Sequence, residues 1–332
     1  MIRELLLLRH GKAELLAPQN HTTSGHAGGD FARELHDKGK RNAQRIGLWM
    51  AQNDLKPDHI ISSPAIRAKR TAQKSCKTAG LNSDMVFLDK RVYQARTDDL
   101  IKVIQSAPAT AKRLLLVGHN PGLESLVRVI SSEQLPRSGK AASLSPASLA
   151  HFSFTGEWSE FRKGCAQRLE IIRPKQLPRT FPFPNMYSVE QRPRPAYYYS
   201  QSSVVPYRMH DGKLEVLIIL SSKKKHWVIP KGIHDPGMSA EDSAANEAFE
   251  EAGIIGEVSE EVIGSYQAPK WDFFCTIQVH PMKVTRELPE DEWPERHRTR
   301  QWVTVETASD MVMNDEVKKI IAKLPAFLKQ QG

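Results

Sequence analysis

The first half of the chain alternates short apolar runs with segments of helical character. Residues 2–8 end in four leucines, and residues 114–117 form a second apolar run of strand length. Residues 39–53 carry apolar side chains at helical spacing, and residues 65–79 also predict a helix after a short strand at residues 60–61. Strands that alternate with helices predict an α/β sheet with helices on both faces.

The composition changes at residues 178–195, which contain five prolines. Proline lacks a backbone N–H and has a fixed φ, so a regular helix or a central strand is excluded there. We predict a semi-extended linker at residues 176–198. It would separate a first domain, residues 1–175, from a second domain, residues 199–332.

A strand pair is predicted to open the second domain. Residues 202–209 and 214–221 are rich in strand-forming residues, and Asp211-Gly212 between them suits a tight turn. Further predicted elements are a helix at residues 241–252, strands within residues 264–284 and a final helix at residues 314–329.

Chain length indicates the number of domains, and net charge indicates the kind of partner. A chain of 332 residues suits two domains of ordinary size. The net charge of +9 and the isoelectric point of about 9.4 favour anionic partners. We expect phosphorylated small molecules rather than nucleic acid, because the chain has no RNP motif, zinc finger or extended basic tail.

Cysteine spacing and hydropathy indicate the cellular compartment of the protein. The three cysteines are far apart in sequence, which indicates neither a disulfide framework nor a zinc site and fits a reducing compartment. No apolar run reaches the length of a membrane span, and residues 5–8 are too short for the core of a signal peptide. We therefore expect a cytoplasmic protein with no membrane partner.

Histidines and arginines directly follow predicted strands in the first domain. Arg9-His10 comes after one strand, His119 after another, and Arg67 opens a helix after a third. Residues just beyond the carboxyl ends of parallel strands line the ligand crevice of an α/β sheet. A neutral imidazole can attack phosphorus, and arginine can neutralise the transferring group. These residues predict a phosphoryl-transfer site. The loop at residues 17–30 is a predicted flap, with His21 and His26 solvated.

Residues 1 to about 175 resemble the histidine phosphatase superfamily, in particular its SixA-type phosphohistidine phosphatase branch. The matching segments are Leu8-Arg9-His10-Gly11-Lys12-Ala13, Leu35 with Gly39, Ser63-Pro64 with Arg67-Ala68, and Val117-Gly118-His119-Asn120-Pro121. The resemblance implies a three-layer α/β/α fold without a cofactor. It also implies that His10 is the nucleophile, which becomes a phosphohistidine, and that Arg9, Arg67 and His119 bind the phosphoryl group.

The proton donor of this first site stays open at the level of sequence. Asp89, Asp98 and Asp99 are candidates, and the segment around Tyr93-Gln94-Ala95 contains no acid. A site without a donor favours leaving groups that depart without a proton. Phosphohistidine and acidic phosphoesters have such leaving groups.

Three carboxylates cluster on the helix predicted in the second domain. Ser239 can cap its start and Gly253 can end it. Glu247, Glu250 and Glu251 share a face by their i, i+3, i+4 spacing. Carboxylates that close repel one another unless a cation joins them, and hard oxygen ligands suit Mg²⁺ or Mn²⁺. A solvated acidic face is the alternative.

Residues 232–254 resemble the Nudix box, which is Gly, five residues, Glu, seven residues, then Arg-Glu-apolar-x-Glu-Glu-x-Gly-apolar. Met238 stands at the first Glu position, where nearby Glu241 could substitute, and Asn246 stands at the position of the Arg that orients the carboxylates. The resemblance implies an α/β/α sandwich that cleaves phosphoanhydrides with metal. It makes Glu247, Glu250 and Glu251 the ligands, with Glu250 also catalytic.

Residues 200–330 look like the diphosphoinositol polyphosphate and dinucleoside polyphosphate branch of that family. The implied phosphate contacts are Lys223, Lys224, Lys225, Lys231, Lys270, Arg298 and Arg300. A generic basic surface is the alternative for any one of them. The whole chain is predicted to be a bifunctional hydrolase of polyphosphorylated metabolites, in nucleotide or inositol pyrophosphate metabolism. Alternatives are a phosphatase of phosphohistidine proteins with a separate Nudix half, and an anion-sensing Nudix module without hydrolysis.

Overall fold

The computed structural model describes residues 1–15, 29–131, 143–184 and 188–331. Most of the predicted flap, including His21 and His26, lies outside the described residues. Contacts between Cα atoms divide the chain into two compact units, Met1–Phe181 and Pro182–Gly332. The division falls within the predicted linker, and each unit is described by itself.

The first unit alternates strands and helices as the apolar pattern predicts. Its elements are β1 (Ile2–Arg9), α1 (Asp37–Gln52), β2 (His59–Ser62), α2 (Ile66–Thr78), β3 (Val86–Leu88), α3 (Thr97–Gln105), β4 (Arg113–Gly118), α4 (Gly122–Ile130), β5 (Leu149–Thr155) and β6 (Arg168–Ile172). Two short strands, β7 (Phe181–Pro184) and β8 (Val189–Arg192), then pair with each other in the proline-rich segment.

Among the described residues, the first unit forms a six-stranded sheet with the order β3-β2-β4-β1-β5-β6. Strands β1 to β4 run parallel, and β5 and β6 run antiparallel to their neighbours. Leu5 and Leu7 pack with residues of α3 and α4 on one face, whereas Leu6 and Leu8 pack with residues of α1 and α2 on the other. Because both faces are covered, β1 is a continuous apolar run.

The second unit is built on a mixed sheet. Its elements are β9 (Ser200–His210), β10 (Lys213–Leu220), β11 (Trp227–Val228), β12 (Lys231–Ile233), α5 (Ala240–Ala252), β13 (Ile254–Val258), β14 (Gly264–Lys270), β15 (Phe273–Glu287), β16 (Arg300–Thr304), α6 (Val305–Met311) and α7 (Asp315–Gln331). The predicted strand pair is confirmed as β9 and β10, which pair in antiparallel register around Asp211-Gly212. The short helix α6 was not anticipated from the sequence.

Helices cover both faces of this second sheet as well. Leu217 and Ile219 of β10 pack against α5, whereas Val216 and Ile218 pack against α6 and α7. The predicted fold class is confirmed: a three-layer α/β/α unit is followed by an α/β/α sandwich. In the described parts of the chain, no helix is both long and apolar enough to cross a membrane.

Candidate active sites

The parallel pairing of β1 with β4 brings the two motif histidines to one edge of the sheet. Arg9 lies in register with Gly118, so His10 and His119 follow side by side, with ring centroids 5.0 Å apart. Nδ1 of His10 lies 2.7 Å from the carbonyl oxygen of Gly11 and therefore carries the proton. Nε2 keeps its lone pair, which is the form that can attack phosphorus.

Electrostatics keeps both imidazoles neutral near pH 7. Burial lowers the pKa of His10 to about 4, with the charges of Arg67, Arg9 and Arg33 adding to the effect. Burial likewise lowers the pKa of His119 to about 3. Nε2 of His119 lies 2.8 Å from the hydroxyl of Ser63, and its Nδ1 is buried without a partner. In the tautomer in which the Ser63 hydroxyl donates to Nε2, Nδ1 carries the proton and can donate to an oxygen of a ligand.

Two guanidinium groups accompany the histidines, that of Arg67 buried and that of Arg9 half-buried. Arg67 is 5% exposed and donates from Nη2 to the carboxylate of Asp30 at 2.7 Å and from Nη1 to the Asp30 carbonyl oxygen. Arg9 donates from Nη1 to the carbonyl oxygen of Leu144 at 2.6 Å. The Nε atoms of both arginines are buried without a partner, so each has a donor left for an anion.

A cavity of about 660 Å³ opens above these groups. His10, Arg67 and His119 line it, as the sequence predicted, together with Asp30 and Arg96, which the sequence analysis missed. Arg9 is not among the lining residues, because its side chain turns to the carbonyl of Leu144. Asp30 could not be singled out from sequence, since it follows a long polar loop and no motif includes it.

None of the three candidate proton donors lines this cavity in the described part of the chain. The carboxylate of Asp89 binds Arg91, with 2.7 Å between Oδ2 and Nη2. The Asp98 side chain is 76% exposed, and Asp99 accepts a hydrogen bond from the Arg96 backbone at the start of α3. The three aspartates that the sequence left open as donors therefore lie outside the cavity lining.

Helices α1 and α2 are packed closely against the segment that follows His10. The Gly11 backbone donates to the hydroxyl of Thr71 at 2.9 Å, and the Lys12 carbonyl accepts from the His36 backbone at 3.0 Å. A Cβ at Gly39 would lie 2.2 Å from that same carbonyl oxygen. Glycine is therefore required at position 39 for the helix to fix the course of the chain beyond His10.

In the second unit, α5 begins and ends where the sequence predicted. The Ser239 hydroxyl accepts from the backbone of Asp242 at 3.1 Å, and Gly253 ends the helix with φ of 61°. Glu247 lies against the backbone of Gly232, where a Cβ would come within 1.9 Å of its carboxyl group. Glycine at position 232 therefore makes room for this side chain.

The three helix glutamates occupy different environments. Burial raises the pKa of Glu247 to about 8, and the charges of Glu251 and Glu250 contribute. Glu251 accepts from the Lys231 backbone at 3.0 Å and from Nη2 of Arg298 at 2.5 Å. Glu250 is exposed. Among the described residues, no three acidic, histidine or cysteine side chains converge as a metal-binding group.

The predicted ligand set is thus not assembled as a cluster, although its members share one helix face. The physical reason is that protein groups already hold Glu251, whereas Glu250 extends into solvent. The residues nevertheless fit a divalent cation in charge and donor type. Three oxygen-bearing carboxylates repel one another here, and a hard cation relieves that repulsion.

The two departures from the Nudix pattern lie next to each other. Nδ2 of Asn246 donates to the sulfur of Met238 at 3.7 Å. A glutamate and an arginine at these two positions would form an ion pair, so both charges are absent together and neither partner is left unpaired. Arg298, from the loop before β16, holds Glu251 instead, and its Nε binds Glu295 at 2.6 Å.

We expect Met238→Glu and Asn246→Arg to stabilise the second unit only when combined. The pair is partly exposed, so its coupling free energy should be about 0.2–1 kcal/mol. A double-mutant cycle on thermal unfolding of the full chain measures this. Additive effects of the two single replacements would show that the positions do not interact.

The candidate phosphate-binding residues lie in different environments in the structure. Lys223, Lys224 and Lys225 are exposed after β10, and the Lys270 ammonium lies 4.5 Å from the ring centroid of Trp271. Burial lowers the pKa of Lys231, which lies near Glu251. Arg298 is paired with carboxylates.

Arg300 has a structural role that the sequence did not reveal. It donates to the carbonyl oxygens of Ala252, Gly253 and Leu288, at 2.7–2.9 Å. These bonds hold the carboxyl end of α5 to the chain beyond β15. We therefore leave Arg300 out of the proposed phosphate contacts.

Comparison with known proteins separates the same two parts. Residues 5–91 match the histidine phosphatase superfamily (branch 1), and residues 200–324 match the NUDIX domain. Nudix hydrolase 17, mitochondrial, from Arabidopsis thaliana is 34% identical over 145 residues, which cover 38% of this chain and 75% of that protein. Nudix hydrolase 21, chloroplastic, from the same plant is 31% identical over 148 residues, covering 42% and 72%.

A solved structure is similar to about half of the chain. The SixA structure from Agrobacterium tumefaciens is 25% identical and covers 52% of this chain and 99% of its own, with a TM-score of 0.41.

Proposed function

Because the chain belongs to the Nudix hydrolases through its second part and carries a histidine phosphatase domain before it, we propose that it is a bifunctional phosphohydrolase. Both parts are of hydrolase families. The phosphatase activity proposed for the first domain is supported mainly by the neutral imidazole of His10, with Nε2 free, beside the buried guanidinium of Arg67.

In the proposed phosphatase reaction, Nε2 of His10 attacks phosphorus and displaces the leaving group. Arg67 and His119, which line the cavity, would bind the phosphoryl oxygens, supported by their unpartnered buried nitrogens. Arg9, whose Nε is also unpartnered, would join them only if its side chain left the Leu144 carbonyl oxygen. Water then attacks the phosphohistidine, which releases inorganic phosphate and restores neutral His10. The paired strands β1 and β4 hold His10 and His119 side by side before the substrate arrives, which limits reorganisation at these two residues.

The phosphatase activity of the first domain should persist in mild acid. A free histidine with a pKa of 6.5 would be largely protonated at pH 5, but the pKa of His10 is lowered to about 4. Protonation removes the lone pair of Nε2, so kcat/KM, corrected for substrate ionisation, should hold from about pH 7 to pH 5 and fall towards pH 4. A midpoint near pH 6.5 would contradict a buried neutral nucleophile.

For the second half we propose Mg²⁺-dependent cleavage of a phosphoanhydride. Glu247, Glu250 and Glu251 would hold the metal, which when bound polarises phosphoryl oxygens and activates water. Arg298 orients Glu251, and the backbone N–H of Lys231 fixes its second oxygen. The ammonium of Lys231, close to these carboxylates, would meet a substrate phosphate.

A second cavity supports nucleoside polyphosphates as the substrate class. It measures about 320 Å³ and is lined by Trp227, Tyr266, Lys231 and the turn at Val312 to Asn314. Lys231 connects it to the acidic helix face, and aromatic walls suit a nucleobase. An inositol pyrophosphate carries phosphates around its whole ring and would need a cationic lining. Dinucleoside polyphosphates and nucleoside triphosphates are therefore preferred over inositol pyrophosphates.

The test is product analysis with diadenosine tetraphosphate, nucleoside triphosphates and a diphosphoinositol, with and without Mg²⁺. Mg²⁺-dependent cleavage of the nucleotides supports the proposal. If every compound stays intact, the second half is an anion sensor, for which the missing Glu and Arg at Met238 and Asn246 would be the reason. A phosphohistidine protein would then be the substrate to test for the first half. The cytoplasmic location stays a prediction.

A further inference from the structure

Asp30 is the one carboxylic acid among the described residues that line the His10 cavity. Its Oδ2 accepts from Nη2 of Arg67 at 2.7 Å and from the hydroxyl of Tyr93 at 3.2 Å. Its Oδ1 accepts from Nη1 of Arg33 at 3.0 Å. Asp30 thus occupies Nη2 of Arg67 with its carboxylate and Nη1 with its backbone carbonyl oxygen, which leaves Nε as the donor without a partner.

A phosphoryl group that binds Arg67 through both Nε and Nη2 must displace this carboxylate. Arg33 would keep the displaced carboxylate close, because Arg33 binds its other oxygen and is itself anchored through Nε to the carbonyl of Glu14 at 2.8 Å. Asp30 then lies beside a phosphoryl group of like charge. Two anions at such a distance hold a proton between them more tightly than either does alone.

The protonation state of Asp30 would change on binding. Without ligand, burial acts to raise the pKa of Asp30, but the hydrogen bonds from Arg33 and Arg67 outweigh it and lower the pKa. A bound phosphoryl group withdraws Arg67 and adds negative charge, and both changes raise it. Both changes favour the acid form of Asp30 in the complex, where a leaving group needs it.

We infer that Asp30 is the proton donor for the leaving group of the first domain, an inference that rests on the proposed phosphatase function. As Nε2 of His10 bonds to phosphorus, the bond from phosphorus to the leaving oxygen breaks, and the Asp30 proton moves to that oxygen. In the second half, the Asp30 carboxylate takes a proton from water. The oxygen of that water bonds to phosphorus while the phosphorus–nitrogen bond breaks, which returns neutral His10 and phosphate.

This assignment changes the expected substrate class of the first domain. A site with a donor can release an alkoxide as an alcohol, so ordinary phosphomonoesters become substrates beside phosphohistidine. The inference is tested with Asp30→Asn on p-nitrophenyl phosphate, phenyl phosphate and glycerol phosphate. Loss of a general acid should lower kcat/KM by about 10²–10⁴-fold for glycerol phosphate and hardly at all for p-nitrophenyl phosphate.

Retained activity on p-nitrophenyl phosphate also shows that the variant is folded. Asp98→Asn, which changes an exposed aspartate outside the cavity, is the matched control and should leave all three rates unchanged. Asp30→Glu keeps the acid and should recover part of the rate on glycerol phosphate.

Two other results would overturn the inference. If Asp30→Asn lowers KM for all three esters by one factor, Asp30 only competes with phosphate for Arg67. If it changes kcat of all three equally, its role is structural. If either result is found and the wild-type activity depends on His10, Asp30 is not the proton donor, but the proposed phosphatase function stands. A wild type that turns over no phosphorylated compound rejects both.

Discussion

Replacing His10 with alanine should abolish phosphate release by the first domain and leave the Mg²⁺-dependent cleavage by the second unchanged. Alanine offers no nucleophile, and Nε2 of His10 is oriented for attack by the bond from Nδ1–H to the Gly11 carbonyl. Loss of a covalent nucleophile costs on the order of 10⁶-fold in kcat in a hydrolase. The measurement is inorganic phosphate release from a phosphomonoester.

His59→Ala is a suitable control for that variant. His59 lies at the amino end of β2, and it does not line the His10 cavity. Its replacement should leave the rate of phosphate release intact. Acid-labile ³²P incorporation into wild type but not into His10→Ala would identify the phosphohistidine directly. Undiminished phosphate release by His10→Ala would assign the reaction to another residue.

Glu250→Gln should remove the Mg²⁺-dependent cleavage of nucleoside polyphosphates and spare phosphate release by the first domain. Glutamine keeps the size of the exposed side chain but removes the charge that binds a cation. A metal contributes several kcal/mol of charge stabilisation, so we expect a loss of about 100-fold or more in kcat/KM. The readout is nucleotide product formation across a range of Mg²⁺ concentrations.

Glu260→Gln is the matched control, because Glu260 is also an exposed glutamate of the second unit but lies beyond α5. It should behave as wild type. If excess Mg²⁺ restores Glu250→Gln fully, the residue contributes metal affinity alone. If the variant cleaves at the wild-type rate at every Mg²⁺ concentration, Glu250 is neither a ligand nor catalytic.

The two proposed activities form a chemical sequence. Cleavage of a phosphoanhydride leaves products with terminal phosphates, and a phosphatase removes such groups. We propose that fusion raises the effective concentration of one domain's product at the other. With both variants available, accumulation of phosphorylated products in His10→Ala distinguishes sequential action from independent roles.

Much of each site was predictable because it depends on local pattern. The apolar runs of β1 and β4 are strands covered on both faces, and the first residues beyond a strand stand at the edge of the sheet. The prediction that His10 and His119 lie together rests on this rule, and both line one cavity with Arg67, which lies in the first turn of α2. Their catalytic roles stay predictions. The limits of α5 follow from Ser239 and Gly253, whose effects act within one helical turn.

Contacts between segments far apart in the chain were decided only by the tertiary structure. Asp30 reaches Arg67 because α2 packs beside the segment after the loop, and Arg298 reaches Glu251 because β16 pairs with β10 beside α5. Packing of distant segments likewise brings the side chains of Arg9 and Arg300 to main-chain carbonyl oxygens. A single sequence therefore determined which residues stand at strand ends and on one helix face. Which charged group each of them meets depended on packing, because ion-pair partners follow proximity in space and no spacing along the chain encodes them.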